Sequence, residues 1–138
     1  MSTRLVHVGP EATALEAIRR MAEAGVGSVA VCDGSRLVGI FTERDVLRLA
    51  GDASPLDQVR VADAMTRDVI TVSADTDLVS ASRLMGERRI RHLPVVEGEN
   101  LLGMIGIRDV LAALAERLWR SHDEDVRETV HELLARRK

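Results

Sequence analysis

The sequence predicts an α/β (α+β) module of two pseudo-symmetric β-α-β-β-α repeats with an amphipathic helix at the C-terminal end. Three observations carry this. The stretch from Val6 to Ala50 returns without a gap as Ile70 to Leu114, 64 residues later, with about three in ten aligned positions identical. Hydrophobic patterning inside each copy alternates between strand-like and helix-like periods. A last apolar stripe lies beyond the second copy. Two copies, rather than a longer array, point to two similar lobes about a pseudo-twofold axis, with paired clefts where function is to be sought.

Each element follows from local signals. Leu5 to Val8 is a short strand, and Pro10 marks the turn after it. Ala14, Leu15, Ile18, Met21 and Ala22 recur at helical spacing, with Gly25 where a C-terminal cap belongs. Ser28 to Cys32 is a continuous apolar strand. Asp33-Gly34 is a hairpin signal leading to a strand from Arg36 to Phe41. Thr42 then opens a helix through Val46, Leu47 and Leu49. A linker with Pro55 follows, and Val61 to Met65 reads as a short helical lead-in to the second repeat. Met1 aligns with Met65, so the first repeat is expected to start just after the place of its own lead-in.

In the second copy, Val69 to Val72 is a strand, Leu78 to Glu87 a helix, and Leu93 to Val96 a strand. A turn over Glu97 to Asn100 leads to a strand from Leu101 to Ile105, then a helix from Ile107 to about Trp119. The tail lies outside the repeat. Ser121 suits an N-cap, Asp123, Glu124 and Asp125 suit the helix start, and Val126, Val130, Leu133 and Leu134 form the buried stripe. The expected organisation is repeat 1 over 1–52, a linker over 53–60, repeat 2 over 61–118 and a helical tail over 119–138.

Composition bounds the function. The chain has 138 residues, and one repeat alone is near the lower limit for an independent core. With one Phe, one Trp and no Tyr, the core rests on Val, Leu, Ile, Ala and Met, and there is little to stack nucleic-acid bases on. A net charge of −3 offers no global basic field for nucleic acid or membrane. Cys32, the lone cysteine, sits in an apolar run and reads as a buried thiol. No signal peptide and no apolar run long enough to span a bilayer is present, so a cytoplasmic location is expected.

Two constellations carry possible chemistry. In Gly39-Ile40-Phe41-Thr42-Glu43-Arg44-Asp45 a glycine lies near a strand tip, a hydroxyl opens a helix, and a carboxylate follows one turn on. Helix N-terminal amides favour phosphate, and a carboxylate can accept from a sugar diol. The same residues also fit a plain capping box. The second copy reads Gly103-Met104-Ile105-Gly106-Ile107-Arg108-Asp109, with Thr replaced by Gly106. The other constellation is Glu87-Arg88-Arg89-Ile90-Arg91-His92-Leu93-Pro94, whose counterpart in the first copy is the neutral Ala24-Gly25-Val26-Gly27-Ser28. Its charge suits phosphate oxygens, or else a solvated basic turn at a helix C-terminus.

The doubled unit, the Arg-His-Leu-Pro-Val run before a hairpin and the Gly-x-x-Thr-x-x-Asp after it resemble the cystathionine-beta-synthase (CBS) domain. Two in tandem over about residues 3 to 118 resemble a CBS pair, or Bateman module. The resemblance implies a pseudo-dimer whose clefts bind adenine nucleotides or S-adenosylmethionine. Carried over, one cleft would use Thr42 and Asp45 with Thr71, Ile90 and Arg91. The other would use Asp109 with His7, Val26 and Gly27, and with Arg91 or His92 near the phosphates. Gly106 departs from the family's Ser or Thr.

The expected function is a non-catalytic sensor of AMP, ADP, ATP or S-adenosylmethionine, with no further cofactor and no metal. It would act as a homodimer or through a separate protein partner, away from nucleic acid and membrane. The alternative is an interaction module without a ligand. An enzyme acting on a nucleotide is disfavoured, because no catalytic arrangement stands out and His7, His92, His122 and His131 are scattered.

Overall fold

A computed structural model describes residues 5–119 and 129–136. Its contacts divide the chain into two units, 1–69 with 99–101, and 70–98 with 102–138.

In the first unit, β1 (His7–Val8) leads into α1 (Ala14–Ala24), β2 (Ser28–Asp33), β3 (Arg36–Thr42), α2 (Glu43–Gly51) and α3 (Val61–Ala64). Helix α1 starts where Thr13, in extended conformation, accepts a hydrogen bond from Glu16 N at 3.1 Å. It stops at Gly25, whose φ of 67° is left-handed and carries no penalty for glycine. β1 runs parallel to β2, and β2 pairs antiparallel with β3 from Ser28 opposite Thr42 to Asp33 opposite Arg36. Residues 99–101 join the free side of β3. Leu37 N donates to Glu99 O and Leu101 N donates to Ser35 O, both at 3.0 Å.

The second unit holds α4 (Leu78–Arg88), β4 (His92–Glu97), β5 (Asn100–Gly106), α5 (Ile107–Trp119) and α6 (Val130–Arg136). Helix α4 is capped by Asp77, which accepts from Ser80 N at 2.7 Å. One predicted element is reduced. The strand expected over Val69 to Val72 is a single parallel bridge between Val72 and Val95. In the first unit Ala30 N donates to Val6 O. Pro94 occupies the equivalent place and has no N–H to give, so the ladder retains only the bonds made by Val72.

The two cores match residue for residue. Val8, Ala14, Ala17, Met21, Val29, Val31, Phe41 and Leu49 bury together in the first unit with Val61 and Ala64 of α3. Their counterparts Val72, Leu78, Ala81, Met85, Leu93, Val95, Ile105 and Ala113 bury together in the second with Val130 and Leu133 of α6. Volumes compensate. Where the first core has the large Phe41 it has Ala14 and Ala64, and where the second has the smaller Ile105 it has Leu78 and Leu133. Close packing tolerates exchange when total volume is kept.

α6 holds the same place in the second unit that α3 holds in the first. Val61 N donates to Ala12 O and Ala62 N to Pro10 O, while Val130 N donates to Thr76 O and His131 N to Ala74 O. The acceptors are again 64 positions apart. A Cβ on Gly39 would run into the Met65 side chain, and one on Gly103 would come within 3.0 Å of Leu134. In space, therefore, each unit is closed by the short helix that follows it. The segment Val61–Ala64, a lead-in by sequence order, completes the unit before it. The proposed cap at Ser121 and the stripe residue Val126 lie outside the described residues. The described helix is capped by Thr129, whose hydroxyl accepts from Glu132 N at 3.3 Å.

Candidate functional site

At the start of α2 the sequence places Thr42 in extended conformation, and the helix begins at Glu43. Glu43 N donates to Gly27 O at 3.1 Å, which ties the helix start to the loop before β2. The Asp45 carboxylate turns back on this start. Its Oδ2 accepts from Thr42 N at 2.9 Å and from the Thr42 hydroxyl at 3.3 Å, the arrangement of a capping box. Its Oδ1 accepts from the Arg48 guanidinium at 3.2 Å, and the same Arg48 nitrogen donates to Ala64 O at 2.8 Å. Asp45 is buried, while the Arg48 side chain is about half exposed, so solvent screens their attraction. Arg48 is the participant that sequence reasoning missed. Its signal was the i, i+3 spacing from Asp45 on a helix face.

The same framework recurs at the start of α5 with different side chains. Ile107 N donates to Arg91 O at 2.8 Å, matching Glu43 N on Gly27 O. Gly106 stands where Thr42 stands. A Cβ there would lie 3.8 Å from Arg91 O, from an Asp109 carboxylate oxygen and from the His92 ring. Arg91, His92 and Asp109 thus gather around one helix N-terminus. Ala112 stands where Arg48 stands in the first unit. Helix α5 has 13 residues and carries a favourable N-terminal dipole for an anion.

The other expected site residues are more dispersed. Val26 and Ile90 sit just ahead of these loops and pack on the edges of their own cores. His7 is exposed on β1, in register with Ala30 rather than with Ser28, which pairs with Thr42. Thr71 is partly buried, one residue before the Val72 bridge. Among the described residues, no His, Cys, Asp and Glu group is placed to hold a metal ion. No helix among them is long and apolar enough to cross a membrane.

The fold and the repeated helix start define a duplicated α+β module with one helix N-terminus at a strand end in each repeat. The family model for the CBS domain matches residues 1–52 and again 61–116. The chain belongs to the CBS domain family, as a tandem pair.

A 33.4 kDa protein encoded in a ribosomal RNA operon of Thermofilum pendens is 43% identical over 98 residues, 70% of this chain and 32% of that protein. The chain therefore spans about a third of that relative's length. A CBS domain protein of Pyrobaculum aerophilum, PAE2072, solved in complex with AMP, is 28% identical with a TM-score of 0.73. That match covers 80% of this chain and 91% of the other. The protein CBSX2, also solved with AMP, is 30% identical with a TM-score of 0.75, covering 85% of this chain and 91% of the other.

Proposed function

We propose that the chain is a non-catalytic regulatory module that binds adenosine-containing ligands at its repeat helix starts and signals through self-association or a protein partner. The observation that carries this reading is the doubled helix start. Each repeat places N-terminal amides and an acidic residue one turn on at the end of a strand, and the second adds Arg91 and His92. The AMP complexes of two related proteins support the ligand class. In this reading the α2 amides and the Thr42 hydroxyl take phosphate, and Asp45 takes the ribose. At α5, Arg91 and His92 take phosphate and Asp109 the ribose. Isothermal titration with AMP, ADP, ATP and S-adenosylmethionine tests it. Saturable heat with at least one is expected, and none with any of the four overturns the reading.

Self-association is supported by Leu47 and Leu111, which occupy equivalent helix positions and are 74% and 54% exposed. Sedimentation at tens of micromolar should show a dimer, and a monomer with and without nucleotide would rule it out. A ligand-free interaction module is favoured by one observation. Both oxygens of Asp45 already have partners within the chain, as a structural cap requires. The same titration separates the two readings.

A further inference from the structure

The turn between α4 and β4 repeats the turn between α1 and β2 in backbone and contradicts it in side chains. Gly25 lies at φ 67°, ψ 36°, and Arg89, its counterpart, lies at φ 55°, ψ 45°. The following amides bond alike, Val26 N to Met21 O and Ile90 N to Met85 O, each at 3.0 Å. The left-handed region is open to glycine and unfavourable for a residue with a Cβ. The fold therefore works with glycine here, and arginine is kept against the local backbone preference.

Arg89 also has company. Arg88 and Arg91 flank it, and all three are exposed. None of the three side chains has a carboxylate partner among the described residues. Arg88 complements the C-terminal dipole of α4, but that role needs neither Arg89 nor Arg91. The turn is moored beside the α5 start, because Arg91 O accepts from Ile107 N. Gly106 there leaves ordinary van der Waals space around the helix N-terminus. The first unit has Ala24, Gly25 and Gly27 in place of these arginines.

Resting on the nucleotide reading above, we propose that Arg89 is a specificity residue that makes the second unit select nucleoside di- and triphosphates over monophosphates. Arg89 lies two residues before Arg91, whose carbonyl oxygen accepts from the first amide of α5, so a phosphate chain that starts at that amide would extend toward this turn. Guanidinium groups suit several phosphate oxygens at once. Non-glycine residues in the left-handed region cluster at ligand sites, and Arg89 is one of two among the described residues, the other being Ala53.

The test is titration of the full chain with AMP, ADP and ATP, before and after Arg89→Gly. The wild type should bind ADP and ATP more tightly than AMP at one site. Arg89→Gly should weaken ATP about tenfold or more and change AMP less than twofold. Its Tm should hold or rise by up to about 4 °C, since the backbone is relieved. Arg89→Asn, which also tolerates the left-handed region, should reproduce the affinity loss. Unchanged ATP affinity in both variants, or equal losses for AMP and ATP, overturns the proposal and leaves the nucleotide reading intact. A lower Tm in Arg89→Gly would make Arg89 a structural residue and overturn it as well. A wild type that binds none of the three overturns the proposal together with the reading it rests on.

Discussion

Leu133→Ala should destabilise the protein by about 2–3 kcal/mol, although it lies in a seven-residue helix. Leu133 is 3% exposed, in a core that includes Val130, Ile105 and Leu78. Leu-to-Ala truncations in cores cost about 2–5 kcal/mol, depending on how far the site collapses. A helix of only seven residues can settle inward, which places the cost in the lower half of that range. Collapse is limited because the helix start is pinned by Val130 N on Thr76 O at 2.8 Å and His131 N on Ala74 O at 3.0 Å.

The first unit manages with Ala64 at this position only because Phe41 fills the space that Ile105 leaves. Adding Ile105→Phe to the Leu133→Ala background should therefore restore part of the loss. Thermal melting followed by circular dichroism should show Leu133→Ala lowered by about 6–10 °C. Leu118→Ala, at 87% exposure, should change stability by less than about 0.5 kcal/mol. A Leu133→Ala protein melting within about 1 °C of wild type would show that α6 is not part of the second core. Deleting residues 121–138 should lower stability at least as much while leaving nucleotide binding largely intact.

Asp45→Ala should weaken nucleotide binding by roughly 1.5–3 kcal/mol in titrations well below its melting temperature. It should also cost about 1–2 kcal/mol of stability in urea melts, through loss of the helix cap. Equal affinity in a folded variant would remove Asp45 from the site. Gly106→Thr is expected to tighten phosphate binding at the α5 start, since its Cβ meets only 3.8 Å contacts. A loss of affinity in titration would show that the gap left by Gly106 is itself used. Burial pushes the Cys32 thiol above its ordinary value, so the fold favours the neutral form. Its contribution to stability is whole below that ordinary value and drains away as pH rises past it toward the folded value. Melting between pH 7 and 10 should show this loss, and Cys32→Ala should lack that part of it.

The duplication, the helix caps and the hairpin signals were legible in the chain because they are local. Gly25, Thr42 and Gly34 act on backbone within four residues of themselves. The resemblance to CBS domains followed from the same short motifs. The sequence also named Thr42, Asp45, Asp109, Arg91 and His92, which lie at the starts of α2 and α5.

Long-range packing decided the rest. The 64-residue offset fails for α3 and α6, whose counterparts Val61 and Val130 are 69 apart, so an ungapped comparison left the tail outside the repeat. Only the matched bonds to Ala12 and Thr76 disclose that each unit is closed by the helix after it. Arg48 reached Asp45 for a similar reason, since the bond to Ala64 O that holds it spans sixteen residues. The shortened strand at Val72 depended on a missing N–H at Pro94, which became visible only when the first unit showed what Ala30 donates there. Sequence periodicity records which face of an element is apolar. Which partner covers that face is a property of the folded chain.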